Sequence, residues 1–149
     1  MRKTAIILLM IAICLFIFAS CGANSFSATY LSNTNISPEQ RDITLITSLE
    51  NLISYSDQSR FAEASPEFKE KLASYTAEFF ETSMLVVVNL VEKSSSTQIS
   101  VQNVNFTDTE VKVTLKRKTR TPATDVMKEW SIFVEFSAKP NISSASYTF

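Results

Sequence analysis

The chain has 149 residues, a net charge of −1 and 45% hydrophobic residues, which is typical of one globular domain. It contains no histidine, one glycine and two cysteines. Lack of histidine excludes His-based catalytic triads and His-containing zinc sites, and a single glycine excludes glycine-rich phosphate loops. The composition indicates no metal site, no cofactor and no nucleic-acid partner.

The amino terminus has the layout of a bacterial lipoprotein signal. Met1-Arg2-Lys3 is basic, residues 5–18 are apolar, and Ala19-Ser20-Cys21-Gly22 places small residues around a cysteine. In this class of signal a peptidase cleaves before the cysteine, whose sulfur carries a diacylglycerol. We therefore predict a signal peptide over residues 1–20, lipidation of Cys21 and a location on the extracytoplasmic face of the cell membrane.

Two alternatives stay open for this segment. Phe18 stands where lipoprotein signals usually have leucine, and ordinary secretion with a cut after Ser27 or an uncleaved spanning helix are also compatible with the sequence. Cys14 lies in the apolar run, so removal of the signal leaves Cys21 without a disulfide partner. Residues 21–36 are uncharged and rich in Ser, Asn, Thr and Ala, which predicts a tether that reaches about 50 Å when extended.

A single folded domain is predicted over residues 37–149. It begins with a helix-start pattern at Ser37-Pro38-Glu39-Gln40. The next segment fits either one helical stripe or a strand and a helix. We predict a strand from Ile43 to Thr47 and a helix from its cap, Ser48, to Tyr55. Two further helical segments are predicted, residues 65–72 and 75–82.

The second half of the chain predicts strands. Met84 to Val91 is apolar without alternation, which is typical of a strand buried on both faces. Further strands, joined by turns, are predicted at residues 99–106, 111–117, 130–136 and 146–149. Because turns connect the strands, we predict an α+β domain with two or three short helices packed on a mainly antiparallel meander sheet.

Several segments of this region together resemble a group of small bacterial lipoproteins. They are residues 75–81, 85–88, the serine-rich break at 94–96, 111–117 and 124–130, with Ile132 and Glu135. The group is similar in turn to the C-terminal domain of PrcB, a protease-complex subunit. The resemblance covers roughly residues 43–136 and departs at the break, where the relatives often have glycines. It implies an extracytoplasmic accessory or binding domain, with a protease as the first candidate partner, and it supplies no catalytic residue.

A basic patch is the first candidate for a binding site. Its members are Lys112, Lys116, Arg117, Lys118 and Arg120. Such a patch would bind an anionic polymer of the cell wall or phospholipid head groups. The alternative is a solvated strand face whose lysines protect a sheet edge from aggregation.

An acidic and aromatic cluster is the second candidate, as in a sugar site or a glycosidase pair. Its members are Asp125, Glu129, Trp130 and Glu135. Asp125 and Glu129 share a helix face only if this segment is helical, and surface solvation is the alternative.

The sequence favours a lipid-anchored binding or accessory domain without catalytic activity, partnering an envelope protein such as a protease. A carboxylate-dependent glycan or cell-wall hydrolase and a structural spacer domain stay open.

Overall fold

A computed structural model describes residues 25–36, 42–121 and 125–149. Within these residues the chain forms seven strands: β1 Phe26–Ser32, β2 Asp42–Ile46, β3 Ser83–Glu92, β4 Thr97–Phe106, β5 Glu110–Thr119, β6 Lys128–Ser137 and β7 Ser144–Thr148. It also forms three short helices, α1 Leu49–Ser56, α2 Pro66–Ala73 and α3 Ala77–Thr82, and one 3-10 turn, Ser59–Phe61. The predicted α+β class, with short helices and mainly antiparallel strands, is confirmed.

The strands divide between two sheets. The central sheet has the order β1-β6-β3-β2 and is antiparallel throughout. The outer sheet has the order β4-β5-β7, with β4 antiparallel and β7 parallel to β5. This division does not show in the sequence pattern, because β3 and β4 follow each other in the chain yet belong to different sheets.

The domain has three layers, with the central sheet in the middle. Val86 and Val88 of β3 belong to an inter-sheet core, which the two sheets form between them. Leu85 and Val87 of the same strand belong to a helix-side core, formed with side chains of α1 and α2. All four are fully buried, so the prediction that this strand is buried on both faces is confirmed.

Side-chain caps begin all three helices. The hydroxyls of Ser48, Ser65 and Thr76 accept hydrogen bonds from backbone N–H groups three residues later, which satisfies donors that a helix start leaves open. The predicted strand ending before Ser48 and the predicted helix after it are confirmed. The helix beginning at Pro66 is confirmed as well.

The tether prediction is wrong for its described part, residues 25–36. Phe26–Ser32 forms β1, which pairs with β6 over its whole length, and Ile36 is buried in the helix-side core. Phe26 and Tyr30 pack on the inter-sheet core, so an alternating apolar pattern lay within this uncharged segment. The ordered domain therefore includes residues before position 37.

Three predictions lie outside the described residues: the signal peptide over residues 1–20, the lipidation of Cys21 and the helix start at residues 37–40. Within the parts of the chain that the structure does describe, no helix is long and apolar enough to cross a membrane.

Candidate functional site

Three lysines of the predicted basic patch lie on one face of the outer sheet. The odd-numbered residues 111–115 of β5 are buried in the inter-sheet core. Because side chains alternate along a strand, Lys112, Lys116 and Lys118 share the opposite face, and all three are exposed. β5 pairs with β4 as far as Thr119 but with β7 only from Glu110 to Thr114, so Lys116 and Lys118 lie beyond the pairing with β7. The alternative of a solvated strand face whose lysines protect a sheet edge therefore stays open for Lys116 and Lys118.

The two arginines of the predicted patch lie apart from this face. Arg117 has the parity of the core residues, and its Nε donates to Glu92 Oε1 at 2.8 Å. Its guanidinium carbon is 3.4 Å from the centroid of the Phe149 ring. Arg120 follows the last residue of β5, and its backbone N–H donates to the Ser96 carbonyl at 3.3 Å. The structure thus brings together only the lysines of the patch.

A groove of about 430 Å³ opens beside the first half of β4. It is lined by Tyr30, Gln98, Ile99, Ser100, Lys116, Lys118 and Trp130. Its polar side chains come from the exposed face of the outer sheet, and its aromatic rings come from β1 and β6 of the central sheet. The backbone N–H of Val101 donates to the Tyr30 hydroxyl at 2.9 Å, which links the two sheets at this groove.

Trp130, which lines the groove, has a cation contact and a buried N–H donor. The Lys128 ammonium lies 4.4 Å from the centroid of the Trp130 ring, a favourable cation–π distance. The indole Nε1 is buried and has no hydrogen-bond partner among the described residues. A buried N–H without a hydrogen-bond partner lowers the stability of the fold. Such groups are rare in native structures. The groove therefore combines aromatic rings, an amide, a hydroxyl and cations.

Glu135 of the predicted acidic cluster lies on the helix-side face of the central sheet, opposite Trp130, and is held there by hydrogen bonds. Its carboxylate accepts hydrogen bonds from Lys71 Nζ at 2.9 Å, the Tyr75 hydroxyl at 2.7 Å and the Ser27 hydroxyl at 3.2 Å. Desolvation acts to raise the pKa of Glu135, but the hydrogen bonds and the charge of Lys71 outweigh it and lower the pKa below its ordinary value. Burial, followed by the hydrogen bond and charge of Glu135, raises the pKa of Tyr75.

The predicted carboxylates do not converge with Glu135. Glu129 lies six residues earlier on β6, and the same parity puts it on the same face about 20 Å away. Glu129 belongs to a strand, so it shares no helix face with Asp125, which is exposed in the preceding bend. Glycosidase carboxyl pairs lie about 5 to 10 Å apart. Glu129 and Glu135 do not form such a pair.

A buried polar network centred on Asn89 was not predicted from the sequence. Its Nδ2 donates to the Tyr55 hydroxyl at 2.8 Å and to Asp42 Oδ2 at 3.2 Å. Its Oδ1 accepts from the Ser131 hydroxyl at 2.8 Å, which lies 3.2 Å from the Thr34 hydroxyl. Burial is the main cause that raises the pKa of Tyr55. The network joins α1, β3, β6 and the segment after β1, so its role is to hold these elements together.

The groove residues from β1 and β4 were also missed. The pattern of Phe26, Ala28 and Tyr30 was the available signal for β1, because alternate residues of a strand face one side. Gln98 and Ser100 alternate with buried Ile99, which places them on one face, but only the register with β5 puts them beside Lys116 and Lys118.

Among the described residues, no three acidic or cysteine side chains are close enough together to hold a metal ion. In comparisons with known proteins, no family model, curated protein or solved structure matches this chain. The resemblance to the PrcB-like group therefore stays a prediction from the sequence.

Proposed function

We propose that this chain is a lipid-anchored, extracytoplasmic binding domain that holds an envelope protein and performs no catalysis. The observation that carries the proposal is the groove beside β4, where Tyr30 and Trp130 meet Lys116 and Lys118. Ligand sites typically combine apolar walls with a few convergent polar groups. A protease is the first candidate partner, since the sequence resemblance implies one.

The surroundings of the carboxylates support the non-catalytic part of the proposal. The oxygens of Glu135 are occupied by Lys71, Tyr75 and Ser27. Its lowered pKa keeps it ionised at neutral pH, whereas a general acid needs a raised pKa. The hydrolase alternative thus draws no support from Glu135, and a spacer domain would have no use for a groove that combines aromatic rings with lysines.

In-cell photo-crosslinking from the full-length chain tests the binding role. A photoreactive residue at Ser100 lines the groove, and the matched control at Asn105 lies on the same strand face beyond the groove. We expect one envelope protein to be captured from position 100 and not from position 105. Equal capture from both positions, or none from either, would contradict the proposal.

The Cys21→Ser variant tests the anchor. Metabolic labelling with a fatty-acid analogue should mark the wild-type chain and leave the variant unmarked and released or unprocessed. Membrane attachment and labelling that persist in the variant would rule out an anchor at Cys21. Incubation of the full-length chain with cell-wall glycan should release no product, and release that depends on Glu129 would favour the hydrolase.

A further inference from the structure

The first half of β4 is an edge strand without the usual protection. The strand runs for 10 residues from Thr97 to Phe106, and its sequence contains no charge and no proline. Natural sheet edges are commonly short or protected by charges, prolines or bulges. The one such device in this strand is a bulge between Val101 and Asn103. Residues 97–101 precede it, and no described strand pairs with their outer side.

The opposite side of the sandwich shows how a covered edge looks in the same molecule. The edge strands there, β2 and β7, are 5 residues each, and they lie close to each other. On the β4 side, a hydrogen bond from Val101 to Tyr30 joins the two sheets, and the groove lies beside it. This side is therefore open over a longer strand.

Backbone groups of β4 are directed to this open side. The Val101 N–H reaches Tyr30 of the other sheet, so it points away from β5. Residues two apart on an antiparallel strand direct their backbone groups the same way. The N–H and C=O of Ile99 therefore face the open edge, where an incoming extended chain would pair with them. The N–H of Thr97 donates to the Ser94 carbonyl at 3.0 Å, so the added strand would use the Ile99 N–H and the outward carbonyls on either side of it.

The positive charges of Lys116 and Lys118 beside this edge favour a partner segment with acidic side chains. A strand added to β4 would lie about 10 Å from β5, which is two inter-strand spacings. Lysine and glutamate side chains together span that distance, so Lys116 and Lys118 would pair with acidic side chains on the exposed face. The alternate side chains of the added strand would face Tyr30 and Trp130, which favours apolar residues at those positions.

We propose that the edge of β4 from Thr97 to Val101 accepts an extended segment of a partner protein as an additional strand, with acidic residues facing Lys116 and Lys118 and apolar residues in the Tyr30–Trp130 groove. The inference rests on the proposed binding function and names the chemistry of its partner. It distinguishes a peptide from an anionic polymer, because only a peptide backbone pairs with Ile99.

The test uses full-length protein in detergent micelles and blocked seven-residue peptides that alternate glutamate with valine. Matched peptides carry lysine in place of glutamate, or N-methyl groups on the amides of the pairing edge. Fluorescence anisotropy should show that the acidic peptide binds at least about tenfold more tightly than both matched peptides. The lysine peptide loses the ion pairs, and the N-methyl peptide loses the backbone hydrogen bonds. Amide hydrogen exchange at Ile99 should slow in the complex.

Two variants locate the site. The double variant Lys116→Glu, Lys118→Glu should weaken binding of the acidic peptide by about tenfold or more. Lys112→Glu changes an exposed lysine on the same strand face outside the groove, and it should change affinity less than about threefold. If circular dichroism shows that the double variant is unfolded, the Lys116→Gln, Lys118→Gln variant serves the same comparison.

Several outcomes would overturn the inference. Equal binding of the lysine or N-methyl peptide would exclude paired strands with acidic side chains. Displacement of the peptide by inorganic polyphosphate, with equal losses in both variants, would indicate a general anionic surface. If the protein dimerises through β4 and the peptide does not compete with the dimer, the edge of β4 binds a second copy of this chain instead of a partner segment. Lack of peptide binding at millimolar concentration would also overturn it, and none of these results would alter the crosslinking test of the binding function.

Discussion

The two faces of the central sheet are built by different means. The inter-sheet face buries mainly aliphatic side chains, such as Val86, Val88 and Ile132. The helix-side face buries aromatic rings in contact, with Phe133 5.6 Å from Phe68 and 6.4 Å from Tyr75 between ring centroids. It also contains the Asn89 network and the Glu135 contacts.

The difference shows which face specifies the arrangement of the domain. Aliphatic side chains of similar volume pack in many combinations, so the inter-sheet core tolerates exchange. A buried amide such as Asn89 is satisfied in few arrangements, because each donor and acceptor needs a partner. The helix-side face therefore fixes where the helices lie, and the inter-sheet face mainly supplies burial.

The largest effect is expected at Phe133, which is fully buried. Phe133→Ala should lower the free energy of unfolding by about 4 kcal/mol, because it removes the ring between two aromatic neighbours and leaves a cavity. Ile132→Val, on the opposite face of the same strand, should cost about 1 kcal/mol. Equilibrium denaturation in urea measures both. A greater loss at Ile132 would contradict this ranking of the two sites.

An intermediate effect is expected at Asn89. Asn89→Ala should lower the free energy of unfolding by about 3 kcal/mol, because the hydroxyls of Tyr55 and Ser131 stay buried without this partner. The double variant with Ser131→Ala should lose less than the sum of the single losses, since both changes break the same network. Strict additivity in chemical denaturation would show that these residues act independently.

The smallest effect is expected at Glu135, and it depends on pH. Its pKa is lowered in the folded chain from an ordinary value of 4.5, so its contribution to stability is present above about pH 4.5 and is lost as the pH falls through the lowered pKa. Partial exposure keeps that contribution below about 1 kcal/mol.

Thermal unfolding of wild type and Glu135→Gln between pH 3 and 7 measures the contribution of the Glu135 carboxylate to stability. The two curves should differ at neutral pH and approach each other at the acidic end. A difference that grows as the pH falls would contradict the sign of the pKa shift.

Local signals in the sequence were sufficient for most elements. The apolar run of β3, the caps Ser48 and Ser65 and the alternation in β5 each predicted an element that the structure contains. β1 was missed, because small polar residues surround Phe26 and Tyr30 and hide a pattern that only pairing with β6 stabilises. The division of strands between sheets depends on such long-range pairings, which no local pattern contains.

The candidate site was predicted less completely for the same reason. Lys116 and Lys118 were named from the sequence, since alternation alone puts them on one face. Trp130 was named as well, but beside carboxylates, whereas the structure puts Glu135 on the opposite face of the sheet and Trp130 with the lysines. Side chains alternate between the two faces of a strand. Trp130 and Glu135 are close in the sequence of β6, but they lie on opposite faces of the sheet, so the predicted cluster does not form.

The early start of β1 shortens the distance that the domain can reach from a lipid anchor at Cys21. If Cys21 carries lipid, the chain between it and Phe26 extends to at most roughly 17 Å, compared with about 50 Å for a tether to Ile36. The volume that the domain samples shrinks with the cube of that length, so a membrane-attached partner meets it at a local concentration tens of times higher. Tyr30 and Trp130 lie toward the far end of β1 from this attachment. A short attachment of this kind would favour partners that are held at the same membrane.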